Sequence, residues 1–355
     1  MLKTPVLGSA KNWTRYLMAK RQKTIQRFLE INGWSNAERI KLGGDASFRS
    51  YYRLKDKGRG AILMDAPPDL EQVDPFLKIA RHLKSLGYSA PSIFAANRGL
   101  GLVLLEDFGE NTFTSLLAAG ENEKKLYLLA TDFLIDLHSR PLNQTVPNNL
   151  EQYTLNKFIA EVSLLTDWFV PAFNNWGLSE KSKLEYELKW RQLIGLDLGV
   201  PQNLVLRDYH VDNLMRLEGR VGIAACGLLD FQDAVVGPVT YDLISLIEDA
   251  RRDVSIETAE SVKKNYLSAF PNICPNQFRR SMAVLGAQRH AKVIGIFTRL
   301  CVRDKKMVYL EHIPRVWRLF ENACNHPELS IMKTWIDENI PAKYRCIPEG
   351  LAASC

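Results

Sequence analysis

The residues with the clearest chemical content lie in one short stretch. An apolar run, Asn203-Leu-Val-Leu-Arg, delivers Asp208, and the spacing Asp-x-x-x-x-Asn then places Asn213. A turn at Glu218-Gly219-Arg220 leads into the uncharged run Val221 to Leu229, which ends in Asp230. Folded as a hairpin about Gly219-Arg220, facing positions sum to about 439, so Asp208 comes within a residue or two of Asp230. Asn213 falls at the same end of the ladder. Two carboxylates and one amide at one place suit metal-assisted phosphoryl transfer. Magnesium takes hard oxygen ligands, one or two of them carboxylate, with phosphate and water completing its shell. Asp230 and Asn213 supply such oxygens, which leaves Asp208 to orient a hydroxyl and accept its proton. Taken singly, each of these residues is an ordinary cap or turn residue; the spacing of the set is what points to chemistry.

Other chemistries lack their residues. There is no Gly-x-x-x-x-Gly-Lys-Ser/Thr loop, no Gly-x-Gly-x-x-Gly turn, no Gly-x-Ser-x-Gly elbow and no His-Glu-x-x-His. The six Cys form no Cys-x-x-Cys pair, which reads as free thiols in a reducing cytoplasm, and the six His have no zinc spacing. A net charge of +6 over 355 residues is mild. It suits small anions and gives no support to nucleic-acid binding. No apolar run is long enough to span a bilayer, and the first residues carry no secretory h-region. A cytoplasmic protein with no membrane association and no obligate protein partner is expected.

The elements that must position these residues divide the chain in two. Residues 21–33 place Ile25, Phe28 and Leu29 on one helical face, with a stop at Gly33. Strands follow at 47–54 and 61–64 around a turn at 55–60, then a helix over 74–87, then strands at 92–96 and 101–106. Beyond Gly109, helices are expected at 123–138, 151–170, 179–196, 238–250, 256–269, 276–300 and 305–324, with the only strands in 203–230. The expected class is α+β: an extension over 1–20, a small sheet lobe over 21–108, and a larger, mainly helical lobe over 109–355.

The arrangement resembles the aminoglycoside phosphotransferase and choline kinase branch of the protein-kinase-like, two-lobe fold. "LRDYHVDNLM" is similar to that family's catalytic loop, which implies Asp208 as catalytic aspartate and Asn213 as metal ligand. "LLDFQDAVVGPVTYDLISLIEDA" is similar to its metal segment, which implies Asp230 on magnesium and Asp242 as a buried brace for the catalytic loop. "GGDASFRSYYRL", "AILMDAPPD", "VLLEDFGE" and "QRHAKVIGIFTRL" narrow the likeness to the bacterial cell-wall amino-sugar kinases. The likeness implies ATP and Mg2+ as cofactors and, as substrate, the anomeric hydroxyl of N-acetylmuramate or N-acetylglucosamine.

The sequence departs from the kinase pattern at one point. The strand that usually carries a phosphate-gripping Lys reads Ala61-Ile-Leu-Met64-Asp65. Arg49, with Ser47 and the backbone at Phe48, is the expected substitute, and alternation would put Arg49 and Arg53 on one strand face. The tripeptide Asp107-Phe108-Gly109 precedes Asp208 by about a hundred residues, too early for a metal aspartate in the kinase order. Glu106 and Asp107 are instead expected at the hinge, where backbone meets the adenine ring. On the acceptor side, Arg251, Gln288 and Arg289 are candidates, because guanidinium pairs with carboxylate at two points. Glu248, Asp249 and Asp253 keep open a cationic acceptor such as an aminoglycoside, choline or a related amine. The missing Lys keeps open an inactive ATP-binding scaffold.

Overall fold

The computed structural model describes residues 10–43, 48–195 and 197–352, with side chains described from Met18 to Leu351 within those limits. The chain forms two compact units, the first ending at Gly109 and the second beginning at Glu110.

The first unit opens with helix α1 (Ala10–Ile31), which starts well before the expected residue 21. Strands β1 (Glu38–Lys41), β2 (Ser50–Asp56) and β3 (Arg59–Asp65) follow, then α2 (Asp74–Ser85), β4 (Ile93–Asn97) and β5 (Leu102–Leu105). The five strands form one antiparallel sheet in the order β1-β2-β3-β5-β4. Ile25, Phe28 and Leu29 of α1, with Trp34, bury one face of that sheet, made of Leu54, Ala61, Leu63, Leu102 and Leu104. Their 3–4 spacing on the helix and alternate spacing on the strands bring the two apolar faces together. The β2–β3 turn is tighter than 55–60: it is the pair Lys57-Gly58, both at positive φ (48° and 80°), as a two-residue hairpin requires. Gly101 (φ 62°) allows no side chain, since a Cβ would lie 1.8 Å from the Ala66 carbonyl oxygen.

The second unit is mainly helical. It begins with α3 (Phe113–Ala118), α4 (Glu123–Ser139), α5 (Leu142–Thr145), α6 (Leu155–Leu164) and α7 (Glu180–Gly195). Strands β6 (Gln202–Val205), β7 (Leu214–Arg216), β8 (Cys226–Leu228) and β9 (Val235–Pro238) come next. Then follow α8 (Thr240–Ile247), α9 (Ile256–Ala269), α10 (Pro275–Asp304), α11 (Ile313–Ala323), α12 (Ser330–Asn339) and α13 (Glu349–Ala352). All eight residues of α8 are buried. The long α10 crosses the end of α6 so closely that a Cβ on Gly295 would sit 2.3 Å from the Leu164 carbonyl carbon. That approach brings polar side chains of α6 and α10 into one buried space.

The expected hairpin is corrected. Strands β7 and β8 pair Leu214↔Leu228, Met215↔Gly227 and Arg216↔Cys226, three positions away from a ladder folded about Gly219-Arg220. The short 3-10 turn Gly222–Ala225 takes up the difference. β6 belongs to a different ladder, pairing with β9 in the register Gln202↔Pro238 to Val205↔Val235. Asp208 therefore lies in a loop between two ladders, rather than opposite Asp230 on one.

Candidate active site

The loop from Leu206 to Asn213 carries the site, and the surrounding elements hold its backbone at each step. Asp242, fully buried on α8, accepts the Leu206 N–H on Oδ2 (2.6 Å) and the Arg207 N–H on Oδ1 (2.8 Å). Tyr209 donates its hydroxyl to the Ala130 carbonyl of α4 (2.8 Å), and its ring stacks on Phe133 with centroids 5.8 Å apart. Asn213 then closes the loop. Its Nδ2 donates to the Asp208 carbonyl (2.9 Å), and its own carbonyl accepts the Leu229 N–H (2.9 Å). Asn213 thus joins Asp208 to the residue before Asp230.

Two residues here hold backbone conformations that L side chains rarely adopt: Arg207 (φ 69°) and Asp230 (φ 54°). Each costs about 1–2 kcal/mol relative to an ordinary region, and persists only where neighbours hold it. Gln232 Nε2 steadies Asp230 by donating to Oδ1 (2.7 Å), and Phe231 beside it is fully buried.

The oxygens fit a magnesium ion. With the Asn213 nitrogen spent on the Asp208 carbonyl, its Oδ1 is the atom left for a cation, and the Leu229 N–H bond to the Asn213 carbonyl ties its backbone to the residue before Asp230. Among the described residues no three His, Cys, Asp or Glu side chains form a metal cage. A site of one carboxylate and one amide is the kind that Mg2+ uses when phosphates and water complete its shell.

His210 is buried, with Nε2 3.2 Å from Asn213 Nδ2. Burial first, then the Arg251 charge, push its imidazole below the usual range. Arg251 Nε is 3.5 Å from Asp212 Oδ2, and its Nη1 is 3.5 Å from His210 Nε2, so this side chain reaches the loop that carries Asp208. Thr114 donates to the other Asp212 oxygen.

Gln288 and Arg289, the other acceptor-side candidates, both turn inward. Gln288 has no exposed surface, and its Nε2 donates to Glu161 Oε2 (2.9 Å). Arg289 is buried, with Nη1 3.4 Å from the Glu248 carbonyl. On a helix buried nearly all round, these polar side chains find partners inside the protein. The acids read as possible partners of a cationic acceptor are also engaged. Glu248 meets His290 at 2.6 Å, Asp249 accepts the Arg251 N–H at 2.8 Å, and Asp253 pairs with Arg315 and Arg318 at 3.3 and 2.7 Å.

In the first unit, Ser47 lies outside the described residues. Phe48 is largely exposed and donates its N–H to Glu71 Oε1 (3.2 Å), while Arg49 Nη2 pairs with Glu71 Oε2 (3.1 Å). The expectation that Arg49 and Arg53 share one strand is corrected. β2 begins after Arg49, and Arg53 is drawn to Asp107, with Nε–Oδ2 at 2.7 Å and Nη2–Oδ1 at 3.1 Å. Met64, at the position of the absent Lys, is fully buried. Glu106 accepts the Ser92 N–H and hydroxyl at 3.0 and 2.7 Å, so both Glu106 and Asp107 use their side chains to fix the local backbone.

One constellation escaped the sequence reading. Glu161 of α6 accepts from the Arg207 guanidinium, Lys292 Nζ (3.2 Å), Gln288 Nε2 (2.9 Å) and the Tyr153 hydroxyl (2.6 Å). Burial alone would raise the Glu161 carboxyl; Lys292 and Arg207 outweigh it and hold it below the usual range. The available signals were one acid in the apolar helix 155–164 and one Lys in the apolar middle of 276–300.

Comparison with known proteins supplies the context. The family model described as "Phosphotransferase enzyme family" matches residues 38–275. A curated N-acetylmuramate/N-acetylglucosamine kinase of Caulobacter vibrioides is 33% identical over 361 aligned residues, covering 93% of this chain and 99% of the relative. The protein of the same name from Pseudomonas aeruginosa is 35% identical over 313 residues, covering 84% and 88%. Among solved structures, a choline/ethanolamine kinase family protein from Mesorhizobium loti superposes with a TM-score of 0.60 at 13% identity, covering 90% of this chain and 99% of that one. The ADP-bound aminoglycoside phosphotransferase APH(2'')-Ib gives 0.54 at 16% identity, covering 84% and 97%. At such low identity these two likenesses establish the protein-kinase-like fold.

Proposed function

The chain belongs to the phosphotransferase enzyme family, and on that premise we propose that it transfers phosphate from ATP to the anomeric hydroxyl of N-acetylmuramate or N-acetylglucosamine. The observation that carries this reading is Asn213, whose side chain holds the Asp208 carbonyl while its backbone holds the strand end before Asp230. The identity to curated amino-sugar kinases over nearly the whole chain supports the choice of acceptor.

In this reading Asp208 orients the sugar hydroxyl and accepts its proton as the oxygen attacks the γ-phosphorus and the bond to ADP breaks. Asn213 Oδ1 and the Asp230 carboxylate are the oxygens that would hold magnesium, which when bound would neutralise charge on the phosphates. Asp242 fixes the backbone from which Asp208 projects. Arg49 is assigned to the nucleotide phosphates in place of the absent strand Lys, with the backbone near Glu106 and Asp107 at the adenine. Arg251 is assigned to the acceptor, where its guanidinium suits the lactyl carboxylate of N-acetylmuramate.

The test is incubation with ATP, Mg2+ and, separately, N-acetylmuramate, N-acetylglucosamine, choline and an aminoglycoside, read by phosphorus NMR. A sugar 1-phosphate that disappears in Asp208→Ala is the expected result. Transfer to choline or the aminoglycoside alone moves the acceptor to an amine. Transfer to none of the four leaves the scaffold reading and sinks ours.

A further inference from the structure

The residue before Asp208 has a side chain with a task of its own. The Arg207 guanidinium reaches α6 on one side, where Nη2 pairs with Glu161. On the other side Nη1 donates to the Asp233 carbonyl at 3.2 Å, three residues beyond Asp230. One planar cation therefore spans the loop that carries Asp208 and the segment that carries Asp230. Its backbone holds φ 69° while Asp242 takes its N–H, so this strained conformation is gripped from both ends. The Tyr153 ring lies 5.3 Å from the guanidinium carbon, and Glu161 is itself fixed by Lys292, Gln288 and Tyr153. A planar, five-donor group can hold two partners in fixed relation, which an ammonium on a flexible stem does less well.

We propose that Glu161 and Arg207 are positioning residues that set the Asp208 loop against the Asp230 segment, with Lys292 holding Glu161 in place. This rests on the roles given above to Asp208 and Asp230. Placing the proton acceptor and the metal ligand in one geometry is a transition-state matter, so the network acts on turnover and leaves ground-state binding alone. Glu161 is nearly buried and fully committed to protein donors, consistent with an action exerted through Arg207.

The experiment uses Glu161→Gln, Arg207→Gly and the double variant of the full chain. Glutamine keeps the shape of Glu161 and removes its charge. Glycine accepts φ 69° without strain, so Arg207→Gly retains the backbone while removing the bridge. Each single variant should fold, lose roughly 10- to 100-fold in kcat, and keep both KM values within about twofold. The double variant should fall no further than the worse single, because both break one connection. Hydrogen exchange gives a readout that needs no acceptor: peptides spanning 206–213 and 229–234 should exchange faster in Glu161→Gln, with the rest of the second unit unchanged. Unchanged kcat in a folded single variant, multiplying losses in the double, or unchanged exchange in those peptides would overturn the proposal. If Glu161→Gln does not fold, Arg207→Gly carries both measurements. Should the wild type phosphorylate none of the acceptors, the proposed function fails and the exchange result alone decides this inference.

Discussion

The Oδ1 atom of Asp242 lies 2.8 Å from the backbone nitrogen of Arg207, immediately before Asp208, while Oδ2 takes the Leu206 N–H. An Asn at this position would turn an NH2 towards one of those N–H groups. Asp242→Asn should therefore cost about 1–3 kcal/mol, seen in urea unfolding, and lower kcat at least tenfold. Burial pushes the Asp242 carboxyl up to about 7 from 3.8, against its two N–H donors. A raised folded value means that the native state binds the extra proton. Stability from this group is complete below about pH 4 and is lost as pH rises through about 7. A melting series from pH 4 to 8 should show this loss in the wild type and lack it in Asp242→Asn.

Asp230 and Asn213 should reveal themselves through the metal. Removing divalent ions with a chelator should abolish transfer, and added Mg2+ should restore it. Asp230→Asn should raise the Mg2+ concentration for half-maximal rate by about tenfold or more, because one charge leaves a site with few ligands. A wild-type metal requirement in this variant would remove Asp230 from the ligand set.

Arg49 pairs with Glu71 at 3.1 Å, so it is held in one place at little remaining entropic cost. Arg49→Ala should raise KM for ATP several-fold, with a smaller effect on the sugar. If both KM for ATP and kcat keep their wild-type values, Arg49 does not replace the missing Lys.

Arg251 separates the two sugars. N-acetylmuramate carries a carboxylate that N-acetylglucosamine lacks, and a guanidinium–carboxylate pair is worth about 1.5–3 kcal/mol. Arg251→Ala should therefore lower kcat/KM for N-acetylmuramate by about tenfold or more and spare N-acetylglucosamine. Equal losses on both would place Arg251 in support of His210 and Asp212 only.

Gly295 tests the approach of α10 to α6. A methyl group there meets the Leu164 backbone at 2.3 Å, and a backbone cannot rotate aside as a side chain can. Gly295→Ala should cost about 1–3 kcal/mol by denaturant unfolding. Because α6 carries Glu161 and α10 carries Lys292, kcat should fall as well.

Several parts of this picture were legible in the sequence. The spacing of Asp208 and Asn213 survives folding because both lie in one short loop, where local geometry decides. The α1 face was readable from Ile25, Phe28 and Leu29, since a 3–4 period needs no knowledge of the partner surface. β1 was not readable: its four residues Glu38–Lys41 are all exposed, so no apolar pattern marks them, and pairing with β2 alone makes them a strand.

The sequence by itself determined the residue types, the main helices and the strands with an apolar pattern, and the family likeness, because these follow from local periodicity and short spacings. Only the tertiary structure decided which ladder each strand joins. It put β6 with β9, so that Asp208 reaches the neighbourhood of Asp230 through Asn213 and Arg207. It also turned Gln288, Arg289 and Lys292 inward, because α10 is covered on nearly every side by other helices. A polar residue reads alike in a sequence whether it faces water or a buried partner; the packing around it, set by residues more than a hundred positions away, makes the difference.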